Sequence, residues 1–545
     1  MGSGPRWLLI TTIVLLGIVE WGWGIRSAMT QFTARMQAES GRPYARPPVP
    51  VPKTHMFTRD EAYAFLAAAK RAEAIKDPLQ RCIAYPDPPG SHWSHDAAVA
   101  YCHYGLQPLP LSFAEAQTLI QHGQSAELDR RLAAALHAQQ TQPDSPGLLD
   151  RIYHESFENS SFDVRPTLDA WKRDSPNSAF AWAASGVAYV AMASAARGSK
   201  YMKDTPRDSI DSMDRLLVQA DNDLRKAIAL DPKVTPAHAA LINAGALGFG
   251  RKYTDDAIAA AIAAAPDNYT IYGVAIWAKE PKWGGSLDDM SRLAAQAQTH
   301  AGDNPALKLM LSKRAFYEVS NCNCEQNIEL ASYPAALDEV ASVPDLMDAG
   351  DAAKGSKHPA VAAIYLSEAL RFGPEFDDAR LHRIDALIDF DEAAWAVAEA
   401  TTLIAAKPGD ATLLEARANA YEALNDYAHA EQDYRTMLAL DPNDTHALAE
   451  LGKLLVYWTH DWNGGWDVAN QLIKVQPQSP YGWILRANIQ QQQPRAGLKD
   501  TVDYVEAHFS GDPQMAQIIT QMRSALILQT HSGKQVLAGK APPHG

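Results

Sequence analysis

The residues best suited to chemistry are cysteines and histidines collected between 78 and 110. Cys82, His92, His95, Cys102 and His103 fall within 22 residues. Sulfur and imidazole groups of this kind bind zinc or copper. Their spacing matches none of the zinc patterns built on CxxC. Because an exported chain meets an oxidising compartment, we favour a Cys82–Cys102 disulfide over a metal site, and we predict no bound cofactor.

A second pair of cysteines, Cys322 and Cys324, flanks Asn323. These two cysteines can pair with each other, cross-link to another segment or stay reduced. The chain has four cysteines in all, an even number that favours export.

No catalytic signature accompanies these residues. The sequence contains no HExxH, GxSxG or Walker pattern, and no dinucleotide-binding glycine motif between a strand and a helix. His154, Glu155 and Ser156 are adjacent, and adjacent side chains on a helix point in different directions. We therefore predict a protein that is not an enzyme.

The segment Lys282-Trp283-Gly284-Gly285-Ser286 predicts a structural turn. Glycines permit a positive φ, Ser286 can cap a helix that begins at Leu287, and Trp283 can join two helical units. The alternative is an anion held by the glycine N–H groups. It is less favoured because the lysine and strand of a phosphate loop are missing. A similar DWNGGWD sequence, from Asp461 to Asp467, predicts a second turn between helices.

Helical repeats are the elements that must position these residues. Prolines Pro374, Pro408, Pro442 and Pro477 are separated by 34, 34 and 35 residues, and each closes a segment with two amphipathic helices. The clearest unit, 411–444, fits the tetratricopeptide (TPR) pattern. Its predicted packing positions are Leu414, Ala418, Tyr421, Ala430, Tyr434 and Met437. The sequence therefore predicts an all-α, TPR-like helical-repeat solenoid in two sections, with an N-terminal membrane anchor.

A second resemblance covers residues 111–317. This stretch resembles a bacterial domain-of-unknown-function family through three motifs, which are LDAW with Pro-x-Ser after it (168–178), Ala-Arg-Gly (196–198) and PKWGGS (281–286). The resemblance implies a helical, repeat-like architecture. It brings no activity and no catalytic residues.

The net charge and the N-terminal sequence limit which partners and which cellular location we expect. The net charge of −15 argues against a nucleic-acid partner, because affinity for nucleic acids comes mainly from neutralising phosphates. After Arg6, an apolar run from Trp7 to Val19 resembles a signal anchor. We expect a single-pass protein of an inner membrane, with the bulk of the chain in the periplasm.

The predicted organisation has seven segments. These are a signal anchor (1–26), a Pro/Arg-rich linker (27–54), an N-terminal helix with a Cys/His-rich loop region (55–110), a helical domain with repeat-like units (111–317), a connector (318–358), a TPR array with a capping helix (359–530) and a disordered tail (531–545).

The first helix of each TPR unit supplies the predicted binding groove. Its candidate residues are Glu415, Asn419, Glu422, Lys453, Tyr457, Asn488, Gln491 and Gln492. Amides, aromatic rings and mixed charge suit an extended peptide. The sequence thus favours a scaffold or adaptor that binds another protein in a bacterial envelope. The alternatives are a metal- or redox-handling protein that uses Cys82, His92, His95 and Cys102, and an immunity protein that binds a secreted toxin.

Overall fold

Every regular element in the described chain is helical. The computed structural model describes residues 56–200, 202–493 and 495–538, with side chains as far as 527. These residues contain no β-strand. The all-α prediction is therefore confirmed. The predicted anchor at 1–26 and linker at 27–54 lie outside the described residues.

The helices follow one another with short connections. The first half contains α1 (Arg59–Glu73), α2 (Pro78–Ala84), α3 (His95–Leu106), α4 (Phe113–Gln121), α5 (Ser125–Thr141), α6 (Leu148–Phe157), α7 (Arg165–Asp174), α8 (Ala179–Arg197), α9 (Arg207–Leu230), α10 (Thr235–Ala244), α11 (Arg251–Ala264), α12 (Tyr269–Ala278) and α13 (Leu287–Gln298). The second half contains α14 (Ser312–Ser320), α15 (Gln326–Ala336), α16 (Val343–Gly355), α17 (Pro359–Phe372), α18 (Asp377–Asp389), α19 (Ala393–Ala406), α20 (Ala411–Ala423), α21 (Tyr427–Leu440), α22 (Thr445–Lys453), α23 (Trp462–Val475), α24 (Pro480–Gln492), α25 (Leu498–Phe509) and α26 (Met515–Ala538). Short 3₁₀ or π segments lie at Phe162–Val164, Met202–Asp204, Gly245–Phe249, Pro281–Trp283, Pro305–Leu311 and Leu454–Trp458.

Side-chain caps fix where the repeat helices begin. Asp410, Asp426, Asp444 and Asp461 precede α20, α21, α22 and α23, and each carboxylate accepts N–H groups of the first turn. Such caps satisfy donors that have no partner inside the helix. At the start of α1, Thr58 and Glu61 form a capping box.

Consecutive helices pack as pairs, and the pairs stack on one another. Helix α20 packs against α21, α22 against α23 and α24 against α25, while α18 contacts α20 and α22 contacts α24. Ala418 and Ala430 are fully buried, so the two helices of their unit approach closely. The other predicted packing residues are also buried except Tyr421, which is half-buried.

Two ion pairs repeat with the helical pairs. Arg383 on α18 binds Glu399 on α19, and Arg417 on α20 binds Asp433 on α21. Each partner lies 16 residues after its arginine, and the two pairs are one repeat apart. The pairs therefore fasten the first helix of a unit to its second helix at equivalent positions.

The N-terminal segment packs into the middle of the chain. A single core cluster contains buried residues from 57–102 and from 242–420. Arg383 also donates to Glu73 of α1 at 2.5 Å, and Arg371 donates to the carbonyl of Cys82 at 2.9 Å. The region expected to be loop-rich includes α2 and α3, because Asp77 caps α2 and the apolar face of α3 is buried against this core. Likewise, 318–358, expected to be a connector, holds α15 and α16.

The described residues all belong to one compact unit. Among them, one helix, α8, is long and apolar enough to cross a membrane, and 67% of its apolar window is buried inside the protein. The expected disordered tail begins as helix, since α26 runs to Ala538. A single glycine in a helix costs about 1 kcal/mol, so Gly533 alone does not end it. Residues 539–545 lie outside the described chain.

Candidate functional site

The candidate site is the layer formed by the first helices of the C-terminal pairs. We define the first-helix surface as the exposed and half-exposed side chains of α16, α18, α20, α22 with its π segment, and α24. Neighbouring members of this layer contact each other directly, α20 and α22 through the side chains of Glu415 and His446. Each helix is fixed from behind by its own second helix, so the surface rests on a rigid scaffold.

All the predicted groove residues lie on this layer and are at least partly exposed. Helix α20 carries Glu415, Asn419 and Glu422, α22 and its π segment carry Lys453 and Tyr457, and α24 carries Asn488, Gln491 and Gln492. The last two follow Asn488 by three and four residues, which places them on the same side of α24.

Polar side chains act as rungs between α16 and α18, between α20 and α22, and between the π segment after α22 and α24. His446 contacts Glu415 at 2.7 Å, and Asn488 donates to Tyr457 at 2.6 Å. Further along the layer, His382 contacts Asp351 and Lys354 pairs with Asp385, both at 2.5 Å. The two residues of each pair are 31 positions apart in the sequence. A 34-residue repeat puts position i+34 at the equivalent place, so i+31 lies about one helical turn earlier.

These rungs are what the sequence reasoning missed. It assigned Glu415, Tyr457 and Asn488 to ligand contacts, whereas the structure engages all three with neighbouring repeats. The signal that would have revealed them is the recurrence of complementary polar residues at a separation of 31. Within the layer, the rungs fix the position of one helix along its axis relative to the helix that it is linked to.

Tyr434 contacts two further groove residues from behind. Its hydroxyl donates to Glu422 at 2.8 Å and lies 3.1 Å from Oδ1 of Asn419. Burial raises the pKa of the Glu422 carboxyl, with Glu450 adding to the rise and the Tyr434 hydrogen bond opposing it. The hydroxyl has a single proton, which Glu422 receives, so Asn419 keeps an exposed amide beside this pair.

Carboxylates outnumber lysines and arginines on the first-helix surface. Its acidic members are Asp348, Asp351, Asp377, Asp378, Asp385, Asp389, Glu415, Glu422 and Glu450, and its cationic members are Lys354, Arg380, Arg417, Lys453 and Arg486. Lys453 pairs with Glu450 at 2.6 Å and lies 6.0 Å from the ring centroid of Tyr481. The surface therefore attracts positive charge and offers no row of cations to an anionic ligand.

The PKWGGS segment forms the predicted turn. Gly284 has φ +85°, and a Cβ on Gly285 would lie 2.1 Å from the carbonyl oxygen of Lys279. Ser286 accepts the N–H of Asp289 and caps α13. Both glycine N–H groups donate to backbone carbonyls, those of Pro281 and Glu280. These N–H groups are therefore already engaged, and the geometry does not favour the anion alternative.

Two motifs of the family resemblance meet at this turn. The ring of Trp283 is half-buried, 4.8 Å from the ring of Trp277 and 5.4 Å from the guanidinium of Arg197. Arg197 belongs to the Ala-Arg-Gly motif. The LDAW motif has another role, since Trp171 is buried in the core and donates to Asp129.

The DWNGGWD segment differs from its prediction. It is not a turn between helices, because Asp461 caps α23 and both glycines lie in the first turn of that helix. A Cβ on Gly464 would come within 2.3 Å of the Asp461 carboxylate, and one on Gly465 within 2.8 Å of Val456. The glycines make room for the cap and for the neighbouring helix.

The cysteine and histidine cluster does not converge. Cys82 and Cys102 are buried and joined by a disulfide with an S–S distance of 2.00 Å, while Nδ1 of His92 contacts Asp338 at 2.8 Å. The Asp338 contact raises the pKa of His92. Within the part of the chain that the structure describes, no three His, Cys, Asp or Glu side chains are arranged to hold a metal ion. The geometry therefore gives no support to the metal alternative.

Comparison with known proteins identifies the repeat. A family model for the tetratricopeptide repeat matches residues 411–444. The yeast Tom70 crystal structure is similar at 12% identity over 89% of this chain and 99% of that chain, with a TM-score of 0.32. The crystal structure of the P58(IPK) TPR domain is similar at 11% identity over 57% of this chain and 94% of that chain, with a TM-score of 0.19. No curated protein matches the sequence. The chain thus carries a tetratricopeptide repeat at 411–444, the unit that also contains the Arg417–Asp433 pair and the first groove residues.

Proposed function

We propose that this chain is a scaffold that holds an extended segment of another protein on its first-helix surface. The repeat at 411–444 supports a role in protein–protein interaction. The observation that carries the proposal is the continuity of this surface, on which amide, phenol and charged groups follow one another across successive first helices. Because the rungs fix these helices relative to one another, the groups are positioned before a ligand arrives, which lowers the entropy cost of binding.

The chemistry of the surface indicates a partner segment with basic side chains. Exposed amides such as Asn419 suit the peptide groups of an extended backbone. The surplus of carboxylates suits lysine and arginine side chains, and charge complementarity of this kind adds specificity and speeds association. Glu415 and Asn488 already serve as rungs. We therefore expect direct ligand contacts mainly from Asn419, Lys453 and Gln492.

We also propose a location in a bacterial envelope, with 1–26 as an inner-membrane anchor and the rest of the chain in the periplasm. The support is the apolar run that follows Arg6 in the sequence, together with the disulfides Cys82–Cys102 and Cys322–Cys324. Disulfides persist mainly in oxidising compartments. We likewise propose that 111–317 belongs to the family with the PKWGGS motif and that the solenoid is divided into two sections.

The test is an affinity pull-down from detergent-solubilised membranes with a mass-spectrometric readout. The test variant carries Asn419→Ala, Lys453→Ala and Gln492→Ala on the first-helix surface. Its matched control carries Gln432→Ala, Asn443→Ala and Lys474→Ala, which remove the same residue types from exposed sites on α21, α23 and the turn before α22.

We expect one partner to be enriched by the native chain and the control and lost from the test variant. A partner retained by the test variant would show that binding occurs elsewhere. Raising the salt concentration separates the charge contribution, because a basic segment held by exposed carboxylates binds more weakly as screening increases. The partner's identity also decides between a scaffold and an immunity protein, since only the latter binds a secreted toxin.

A further inference from the structure

The two disulfides of this chain lie in different surroundings. Cys82 and Cys102 join α2 to α3, are 20 residues apart and are 1% and 0% exposed. Cys322 and Cys324 are separated by only one residue and both are partly exposed between α14 and α15. Opening the first bond disturbs two packed helices, whereas opening the second needs movement in one connection.

The small Cys322–Cys324 ring constrains the residue inside it. Asn323 has φ +49°, in the left-handed region that side chains other than glycine rarely adopt. Asparagine tolerates this conformation better than most residues, but at a cost relative to an extended backbone. Opening the ring frees Asn323 from this constraint. The local chain therefore favours reduction at this bond.

The surroundings also distinguish the two sulfur atoms. The backbone N–H of Cys324 lies 3.2 Å from the sulfur of Cys322 and donates to it. A hydrogen bond of this kind favours negative charge on the acceptor sulfur. The pair lies just before the N-terminus of α15, whose dipole favours an anion on either sulfur, so the hydrogen bond decides between them. Cys322 is thus the better leaving group, and an incoming thiolate is directed to Cys324.

We propose that Cys322–Cys324 is a thiol–disulfide exchange site that oxidises protein or peptide dithiols. A substrate thiolate attacks the sulfur of Cys324, the Cys322–Cys324 bond breaks, and Cys322 leaves as a thiolate that takes a proton from water. The second substrate thiolate then attacks the substrate sulfur of the mixed disulfide. Cys324 leaves as a thiolate and is protonated, and the substrate keeps a disulfide. Two electrons pass from the dithiol to the cysteine pair, and a low-molecular-weight disulfide restores the pair for another cycle.

This reaction is separate from binding on the first-helix surface, because the exchange needs neither a rung nor a groove residue. It is also distinct from the alternative built on Cys82 and Cys102, whose buried sulfurs are out of reach of a substrate. The buried bond therefore serves as an internal control within the same molecule.

The first experiment follows both disulfides of the full-length protein in glutathione buffers of increasing reducing strength. Differential alkylation and peptide mass spectrometry report each pair separately. We expect Cys322–Cys324 to open first, at a rate on the order of 100-fold or more above that of Cys82–Cys102, because the buried bond must wait for local unfolding. If the two pairs open together, or the buried pair opens first, the proposal is wrong.

The second experiment measures turnover with a reduced dithiol peptide and glutathione disulfide as the oxidant. We expect the native chain to form the peptide disulfide at least about 10-fold faster than a Cys322→Ser/Cys324→Ser variant. The variant changes no core residue, and its helical circular dichroism checks the fold. A native rate equal to that of the variant, or to that of glutathione disulfide alone, overturns the exchange site even if the bond proves easy to reduce.

Discussion

The Arg417–Asp433 pair offers a direct measurement of how the repeat is held together. Arg417 donates twice to the Asp433 carboxylate, at 2.9 and 2.7 Å, and the Asp433 side chain is 4% exposed. Removing the cation leaves this carboxylate buried and unpaired. Breaking a buried pair costs about 3–5 kcal/mol. Because the arginine side chain is 18% exposed, we expect a value near the lower end, about 3 kcal/mol, for Arg417→Leu.

The chain itself contains the apolar version of this position. Leu451 lies 34 residues after Arg417, at the equivalent place in the next repeat, and is 1% exposed. We therefore expect the double variant Arg417→Leu/Asp433→Leu to recover most of the loss, since apolar residues of similar volume often replace a buried pair without cost. The single variant Asp433→Leu should lose about 1–2 kcal/mol, because Arg417 can still reach water.

Hydrogen exchange in the full-length protein measures these changes where they occur. Amides of α20 and α21 report the free energy of opening this unit, which a global unfolding curve of a repeat protein does not isolate. With about 1 kcal/mol of loss left in the double variant, the coupling energy between the two sites should be about 3–4 kcal/mol in magnitude. A coupling below about 0.5 kcal/mol, the value typical of exposed pairs, would refute the view that the pair acts as a buried unit.

Three other outcomes are expected. Burial raises the pKa of Asp150 to about 6 against hydrogen bonds from Asn268 and Thr235, so the folded state binds this proton more tightly than the unfolded chain. The free energy of unfolding should therefore fall by about 3 kcal/mol as the pH rises from 4 through about 6. Asp150→Asn should flatten this pH dependence in denaturation curves measured between pH 4 and 7. Gly285→Ala should lower the melting temperature more than Gly284→Asn, because the added Cβ meets a carbonyl oxygen whereas Asn accepts a positive φ; equal shifts would contradict this. Metal analysis of the purified chain should find less than about a tenth of an equivalent of zinc or copper, and a stoichiometric amount would revive the metal alternative.

The sequence predicted those parts of the fold that repeat with the period. Small residues such as Ala418 and Ala430 recur because two helices must approach there, and prolines recur because helices must end there. Contacts between segments far apart in sequence carry no such period. Arg383 binding Glu73 and Arg371 binding the Cys82 carbonyl are of this kind. The sequence therefore predicted the array but not how the N-terminal segment packs into it.

The candidate site was predicted only in part for a related reason. Periodicity correctly placed Asn419, Lys453 and Gln492 on one layer, because helical phase alone decides which side of a helix a residue occupies. It could not show that Glu415 and Asn488 face partners in the next repeat, since that depends on the offset between neighbouring helices. The two glycine pairs show the same limit, because PKWGGS is a turn and DWNGGWD the first turn of a helix.

Rungs at a separation of 31 constrain how the first-helix surface can evolve or be redesigned. A residue such as Glu415 contributes to the position of two helices at once, so replacing it changes the shape of the surface as well as its charge. Asn419 and Gln492 belong to no such rung and can change with the ligand while the layer keeps its geometry. Affinity in this array is therefore best altered at positions between the rungs. Substitutions at the rungs should weaken every ligand together, because they disturb the spacing of the groups that all ligands meet.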